Sequence, residues 1–250
     1  MKRIIKISLV FYVSFSFGQE IVPLYGVSHV DKLNSNYYFK DTNNDFDQFV
    51  GTWTWSSGNS SFTIVLEKEL KYQAFAGKNY IDLLIGEYQY VENGVELINT
   101  LAVMDFSQVS GYQHNISGDI ILGKHNRPKC ESCSLEERRV FLYISHPKAS
   151  SWMEELILRH VVVNGVEQLQ ARFIGHFRVI EEGEPSKMPM PFREVVLTKV
   201  NQEWLITHLM LPKNVSRSDA IQEMKNRSGI SHQSFNSLNC GFKSHFLGTC

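Results

Sequence analysis

Two cysteines at the spacing C-x-x-C, Cys130 and Cys133, have the side chains best suited to chemistry in the middle of the chain. Cysteines at this spacing form a redox pair, half of a zinc site or a small disulfide. No helix is predicted here to lower a thiol pKa, which argues against redox catalysis. His125 and His146 bracket the pair, but H-x4-C-x2-C-x12-H is a loose spacing for zinc. We predict a disulfide that closes the loop, and no metal site.

The N-terminal segment indicates the compartment that would favour such a disulfide. Lys2, Arg3 and Lys6 precede a short apolar stretch over residues 7–17, and residues 16–18 read Ser-Phe-Gly. This is the pattern of a secretory signal peptide, and the stretch is shorter than the about 20 apolar residues of a membrane helix. We predict cleavage after Gly18, no integral membrane segment in the mature protein, and a periplasmic or extracellular location, where thiols oxidise.

The other candidate groups do not form a recognisable catalytic or cofactor-binding motif. The chain contains no G-x-S-x-G elbow, Walker loop or dinucleotide-binding fingerprint. His160 and His176 lie in two adjacent predicted strands and would form a pair if they faced each other. Arg172, His176 and Arg178 share one strand face, which is either a cationic barrel interior suited to an acidic ligand or a solvated outer face. We predict that the protein is not an enzyme and uses no cofactor.

The composition is that of a globular protein, and its net charge is close to zero. The 250 residues are 43% hydrophobic and 12% aromatic, and the formal net charge is -1. A chain of this composition can bury a core. The near-zero charge provides no general attraction to nucleic acid or to an anionic membrane. We therefore expect no nucleic-acid partner.

The elements that would position these groups are predicted to be strands. Apolar residues alternate with period two, as in Phe62, Ile64 and Leu66, which is typical of half-buried strands. Asn-Gly pairs at 93–94 and 164–165 predict two hairpins with type I′ turns. The second hairpin makes residues 156–163 and 166–179 antiparallel neighbours.

The strand pattern predicts an all-β fold. About eight to ten short strands fit an antiparallel barrel, and a two-sheet β-sandwich is the alternative. We divide the chain into a signal peptide (1–18), a polar lead-in (19–47), the barrel domain (48–200) and an irregular, weakly ordered C-terminal extension (201–250). Whether the extension belongs to the evolved domain, and whether Cys240 pairs with Cys250, is left open.

The start of the first predicted barrel strand, Gly51-Thr52-Trp53, resembles the Gly-x-Trp motif that opens lipocalin-like barrels. The resemblance implies that Trp53 closes one end of the barrel. It also implies an arginine of the last strand stacked on the indole by a cation–π contact. Arg193 is the candidate for this arginine and Arg178 is the second choice.

A wider resemblance covers about residues 1–200. Its segments are the export signal, Asp47 to Trp53, the Cys130–Cys133 loop, Val163 to Gln170, and Met188 to Lys199. Together they resemble a family of secreted Bacteroidetes proteins that is a domain of unknown function. This resemblance implies a compartment and domain limits and does not imply a reaction.

Two functional hypotheses follow. The first is an exported lipocalin-like protein that binds a small apolar or amphipathic ligand inside the barrel. The alternative is a solid β-domain that acts through its outside, as an envelope structural or protein-interaction module. In that case the contact surface would be an edge strand or the loop from Gly123 to Arg138.

Overall fold

Strands make up most of the residues that the structure, a computed structural model, describes: 19–26, 36–74, 79–101, 109–178 and 193–200. Short 3-10 turns at Asp47–Phe49 and Gly111–Gln113 interrupt them. Within these ranges no helix is long and apolar enough to cross a membrane. The strands are β1 (Glu20–Pro23), β2 (Tyr37–Lys40), β3 (Gly51–Ser57), β4 (Ser60–Ala74), β5 (Asn79–Glu92), β6 (Val95–Asn99), β7 (Ile116–Leu122), β8 (Arg139–His146), β9 (Ala149–Val163), β10 (Val166–Arg178) and β11 (Glu194–Val200).

Eight of these strands close into an antiparallel barrel in the order β3-β4-β5-β7-β8-β9-β10-β11. The last strand returns to the first, with Lys199 opposite Trp53. The predicted barrel is therefore confirmed over the two-sheet alternative. Three further strands are added to it: β6 pairs with the end of β5, β2 runs parallel to the start of β5, and β1 runs parallel to β2.

Both predicted hairpins are present. Asn93 and Gly94 have φ of 50° and 82°, and Asn164 and Gly165 have φ of 52° and 80°, as type I′ turns require. The second hairpin pairs β9 with β10.

The register of this hairpin separates the two histidines that the sequence analysis considered as a pair. His160 lies opposite Leu169, and His176 lies opposite Glu154 after a register shift between Phe173 and Gly175. The two histidines therefore do not face each other, because the turn sets a register in which their partners lie elsewhere along the ladder.

Aromatic side chains fill the described part of the barrel interior. The Phe62 ring of β4 lies 6.1 Å from Tyr88 and 6.5 Å from Tyr90, both on β5. On the other side it lies 6.2 Å from Phe173 of β10, and all four side chains are buried. An eight-stranded barrel has an interior just wide enough for side chains. These residues join strands from opposite walls into one core.

Trp53, which the resemblance assigned to one end of the barrel, is part of the buried core. The indole is fully buried, and its Nε1 donates a hydrogen bond of 2.8 Å to the Phe49 carbonyl. Lys199 Nζ lies 5.1 Å from the ring centroid, a cation–π contact. Gly51 has a φ of 127°, a region that favours glycine, and a Cβ there would lie 3.4 Å from Lys199 Cε.

The prediction that Arg193 stacks on Trp53 was wrong. Arg193 is exposed at the start of β11, and its carbonyl accepts a hydrogen bond of 2.8 Å from the Phe173 backbone. Because β11 runs antiparallel to β3, the end of β11 lies beside the indole, so Lys199 occupies that place. The side chain of Arg178, the second choice, lies outside the described residues.

The polar lead-in contributes to the core. Phe39 and Phe46 are fully buried. The buried Asp82 carboxylate accepts hydrogen bonds from the Tyr38 hydroxyl (2.6 Å) and from the backbone of Asp41 and Lys71 (both 3.0 Å). Burial, followed by the Asp82 carboxylate, raises the pKa of the Tyr38 hydroxyl. A buried carboxylate on β5 thus attaches this segment to the barrel. The predicted segments 1–18 and 201–250 lie outside the described residues.

Trp53→Ala tests how much the buried indole contributes to stability. We expect the free energy of unfolding to fall by about 3 to 5 kcal/mol, because a large buried side chain is lost and a cavity remains. Denaturant unfolding monitored by circular dichroism measures the change. The control Val162→Ala, at a residue 60% exposed, should change stability by less than about 0.5 kcal/mol. Equal effects of the two variants would contradict the buried position of Trp53.

Asp82→Ala tests the attachment of the lead-in. We expect a loss of about 3 kcal/mol or more, because the substitution leaves buried donors without an acceptor. Asp47→Ala is the matched control, since the Asp47 side chain is 61% exposed and accepts a hydrogen bond from the Lys68 ammonium at the surface. Chemical denaturation compares the two, and a similar small loss in both would show that the segment is not held by Asp82.

Candidate binding site under the 123–138 loop

A pocket with a volume of about 800 Å³ lies where the loop over residues 123–138 meets strands β8 to β11. This volume is within the range of small-molecule sites. Loop residues 129–132 form one wall. The rest of the lining combines charged and apolar side chains, among them Arg139, Arg159, Arg172, Glu194, Trp55, Ile157, Val195 and Val196.

Arg139 is the buried charged residue of the pocket. It is only 4% exposed, and its guanidinium donates to the carbonyls of Pro128 (2.8 Å), Gly123 (2.8 Å) and Asn126 (3.4 Å). These bonds fasten the loop to the barrel wall. Within the described residues, its Nε is buried and makes no hydrogen bond.

The surroundings of Arg139 disfavour its positive charge. Burial lowers the pKa of the Arg139 guanidinium, and the nearby Arg159 and Arg172 lower it further, while Glu137 acts in the opposite direction. A buried charge is costly unless an opposite charge and hydrogen bonds compensate it. The neutral carbonyls bound by Arg139 supply hydrogen bonds but no full negative charge.

Arg159 connects the loop to the strands a second time. Its guanidinium forms a two-pronged ion pair with Glu137 and donates to Ser132 Oγ (3.0 Å) and Gln170 Oε1 (3.3 Å). The hydrogen bond from Arg159 lowers the pKa of the Glu137 carboxyl, and burial opposes this shift in part. The same pair raises the pKa of Arg159.

Arg172 lies on the outer face of β10. It is exposed, and its Nε lies 3.2 Å from Glu194 Oε1 in an exposed ion pair, whereas its neighbours Ala171 and Phe173 are buried. The sequence allowed this strand face to point either into the barrel or toward solvent. Arg172 points toward solvent. The side chains of His176 and Arg178 are outside the described residues.

Cys130 and Cys133 form the predicted disulfide, with their Cα atoms 5.4 Å apart. Both sulfurs that the zinc alternative needed are thus bonded to each other. Cys130 and Ser132 line the pocket, and Cys133 is buried. The disulfide therefore shapes the wall of the pocket. In the described part of the chain, no group of three or more His, Cys, Asp or Glu side chains is arranged to hold a metal ion.

A second polar cluster lies on β5 and the turn before β7. His114 Nδ1 is 3.0 Å from Glu87 Oε1, and its Nε2 is 3.1 Å from the Val109 carbonyl. Asn115 Nδ2 donates a hydrogen bond of 2.8 Å to Glu87 Oε2. Glu87 and His114 are both at least 95% buried. We interpret this cluster as structural, since its groups bind one another and the backbone and fasten the turn to β5.

Sequence reasoning found the loop and its disulfide but missed Arg139 and Arg159. Alternation places both on the outer face, because Arg139 precedes the inward Val140 and Arg159 follows the inward Leu158. That pattern is typical of ordinary solvated arginines. Only the fold of the loop over β8 and β9 shows that one of them is buried.

A closed, eight-stranded, antiparallel barrel with a loop-covered pocket on its wall defines the structural class. The chain belongs to the Family of unknown function (DUF6705), whose model matches residues 1–200. No curated protein and no solved structure matches the chain.

Lowering the pH should weaken the attachment of the loop. The pKa of Glu137 is lowered in the folded protein, so its stabilising contribution is present above the pKa of the unfolded chain. It is lost as the pH falls through the lowered pKa. We expect Glu137→Gln to unfold at a lower temperature than the unaltered protein near neutral pH. The gap between the two unfolding temperatures should disappear at acid pH. Thermal unfolding at several pH values measures this.

Glu136→Gln, at an exposed neighbour, is the control and should leave the unfolding temperature nearly unchanged. If the gap between Glu137→Gln and the unaltered protein stayed constant over the acid range, the ion pair would not be its cause.

Proposed function

We propose that this protein is an exported binding protein whose site is the pocket under the 123–138 loop, on the wall of the barrel. The observation that carries the proposal is the pocket itself, of about 800 Å³. Its loop wall is held in place by Arg139 and Arg159, and the disulfide constrains the turn at residues 130–133. A pocket with walls fixed in advance loses little entropy when a ligand binds.

An outer site is better supported than the interior site that the sequence analysis favoured. Trp53, Phe62 and Tyr88 are fully buried in the described interior and occupy the space of an internal ligand. This agrees with the alternative hypothesis, a solid barrel that acts through its outside. It also agrees with the predicted use of the loop from Gly123 to Arg138.

Export is supported by two independent features. The first is the signal-peptide pattern of residues 1–18. The second is the disulfide between Cys130 and Cys133, because such bonds persist mainly in oxidising compartments. We propose a periplasmic or extracellular location on these grounds.

Binding without catalysis is the activity that the lining supports best. Its charged groups are mainly arginines and a lysine, which hold and orient a ligand at neutral pH but do not readily exchange protons. His114 lies close to Glu87, and His160 lies close to Glu167. Neither pair lines the pocket.

Native mass spectrometry of the protein purified from the compartment to which it is exported tests the proposal. We expect an added mass under native conditions that is lost on denaturation. Val196→Trp should remove it, because Val196 is 45% exposed and lines the pocket. The control Val166→Trp, equally exposed on the β9–β10 hairpin, should retain it. Retention of the added mass by Val196→Trp, or its absence from the unaltered protein, would overturn the proposal.

A further inference from the structure

We infer that the ligand of this pocket is an organic carboxylate with an apolar body, held by its acid group at Arg139 and Arg172. This inference rests on the proposed function and specifies its ligand class. Three observations carry it: a buried arginine that forms no ion pair with any described residue, a small excess of positive charge in the pocket, and an apolar region beside the arginines.

Arg139 supplies the first observation. Its terminal nitrogens bind carbonyl oxygens of the loop, which hold the guanidinium in one orientation. Its Nε is buried and forms no hydrogen bond among the described residues. Guanidinium N–H groups are donors only, and carboxylate oxygens are among their best acceptors. An oxyanion in the pocket beside Arg139 would compensate the buried positive charge, which the neutral carbonyls do not.

The charge balance selects a monoanion. The lining includes the cationic Lys129, Arg139, Arg159 and Arg172 and the anionic Glu131 and Glu194. Arg159 is further neutralised by its ion pair with Glu137. About one positive charge remains uncompensated, which matches one carboxylate better than a doubly charged phosphate.

The apolar lining supplies the third observation. Trp55 and Val195 line the pocket together with the exposed Val196. These side chains come from the adjacent strands β3 and β11. An apolar ligand body lying on them would be removed from water, which favours binding in proportion to the area covered. An acid group without such a body would leave this part of the pocket unused.

Calorimetric titration of the full-length protein with octanoate and with 1-octanol tests the inference. The two probes share an apolar chain and differ in charge. We expect octanoate to bind at least about tenfold more tightly, as a charge-assisted hydrogen bond predicts. Inorganic phosphate should bind more weakly than octanoate. Equal binding of octanoate and octanol, tighter binding of phosphate, or no binding of octanoate would overturn the inference.

Three substitutions test whether the carboxylate of the ligand binds at Arg139 and Arg172. Arg139→Met should weaken octanoate binding about tenfold, but it also releases the loop. Arg172→Gln and Glu194→Gln therefore form a matched pair, since both residues are exposed. The first should weaken binding about threefold and the second should strengthen it by a similar factor, because they remove opposite charges beside the pocket. Changes in the same direction, or no change in either, would overturn the inference.

The two proposals fail in different ways. If octanol bound as tightly as octanoate and Val196→Trp abolished both, the pocket would be a binding site for a neutral ligand, and only the charge inference would be overturned. If neither probe was affected by Val196→Trp and no added mass was seen by mass spectrometry, the pocket itself would not be the site.

Discussion

Closure of the sheet between β3 and β11 is the constraint on which the rest of the structure depends. Antiparallel pairing brings the end of the last strand beside the start of the first, with Lys199 opposite Trp53. The closed sheet has one face that solvent does not reach, and aromatic residues occupy its described part. Closure also satisfies the backbone groups that an open edge would leave unpaired.

A filled interior leaves the outside of the barrel as the place for specific contacts. The loop between β7 and β8 is held there by the hydrogen bonds that Arg139 donates to its neutral carbonyls and by the Arg159–Glu137 ion pair, and the disulfide closes a turn within the loop. Each of these bonds uses a different chemistry, so the loop does not depend on one contact. The pocket that results has a wall fastened to the strands, and its buried guanidinium forms no ion pair with any described residue. This combination is the physical basis for a binding function and for an acidic ligand.

Buried acids fasten two other segments to the barrel. Asp82 accepts hydrogen bonds from the segment before the barrel, and Glu87 binds the turn before β7. Both lie on β5, the strand that pairs in turn with β2, β4, β6 and β7. Because β5 is covered on both sides along much of its length, its polar residues need internal partners.

Much of the fold was determined by the sequence alone. Period-two alternation and the Asn-Gly turns are local properties of the chain, so they predicted the barrel and both hairpins, and the C-x-x-C spacing predicted the disulfide. They did not predict β1 and β2, which lie in the polar lead-in. The position of Lys199 at Trp53, the anchoring of the lead-in by Asp82 and the burial of Arg139 were decided only in the tertiary structure. Each depends on residues far apart in sequence, whose meeting follows from strand register and loop folding. An outward arginine looks the same in a sequence whether solvent or a loop covers it.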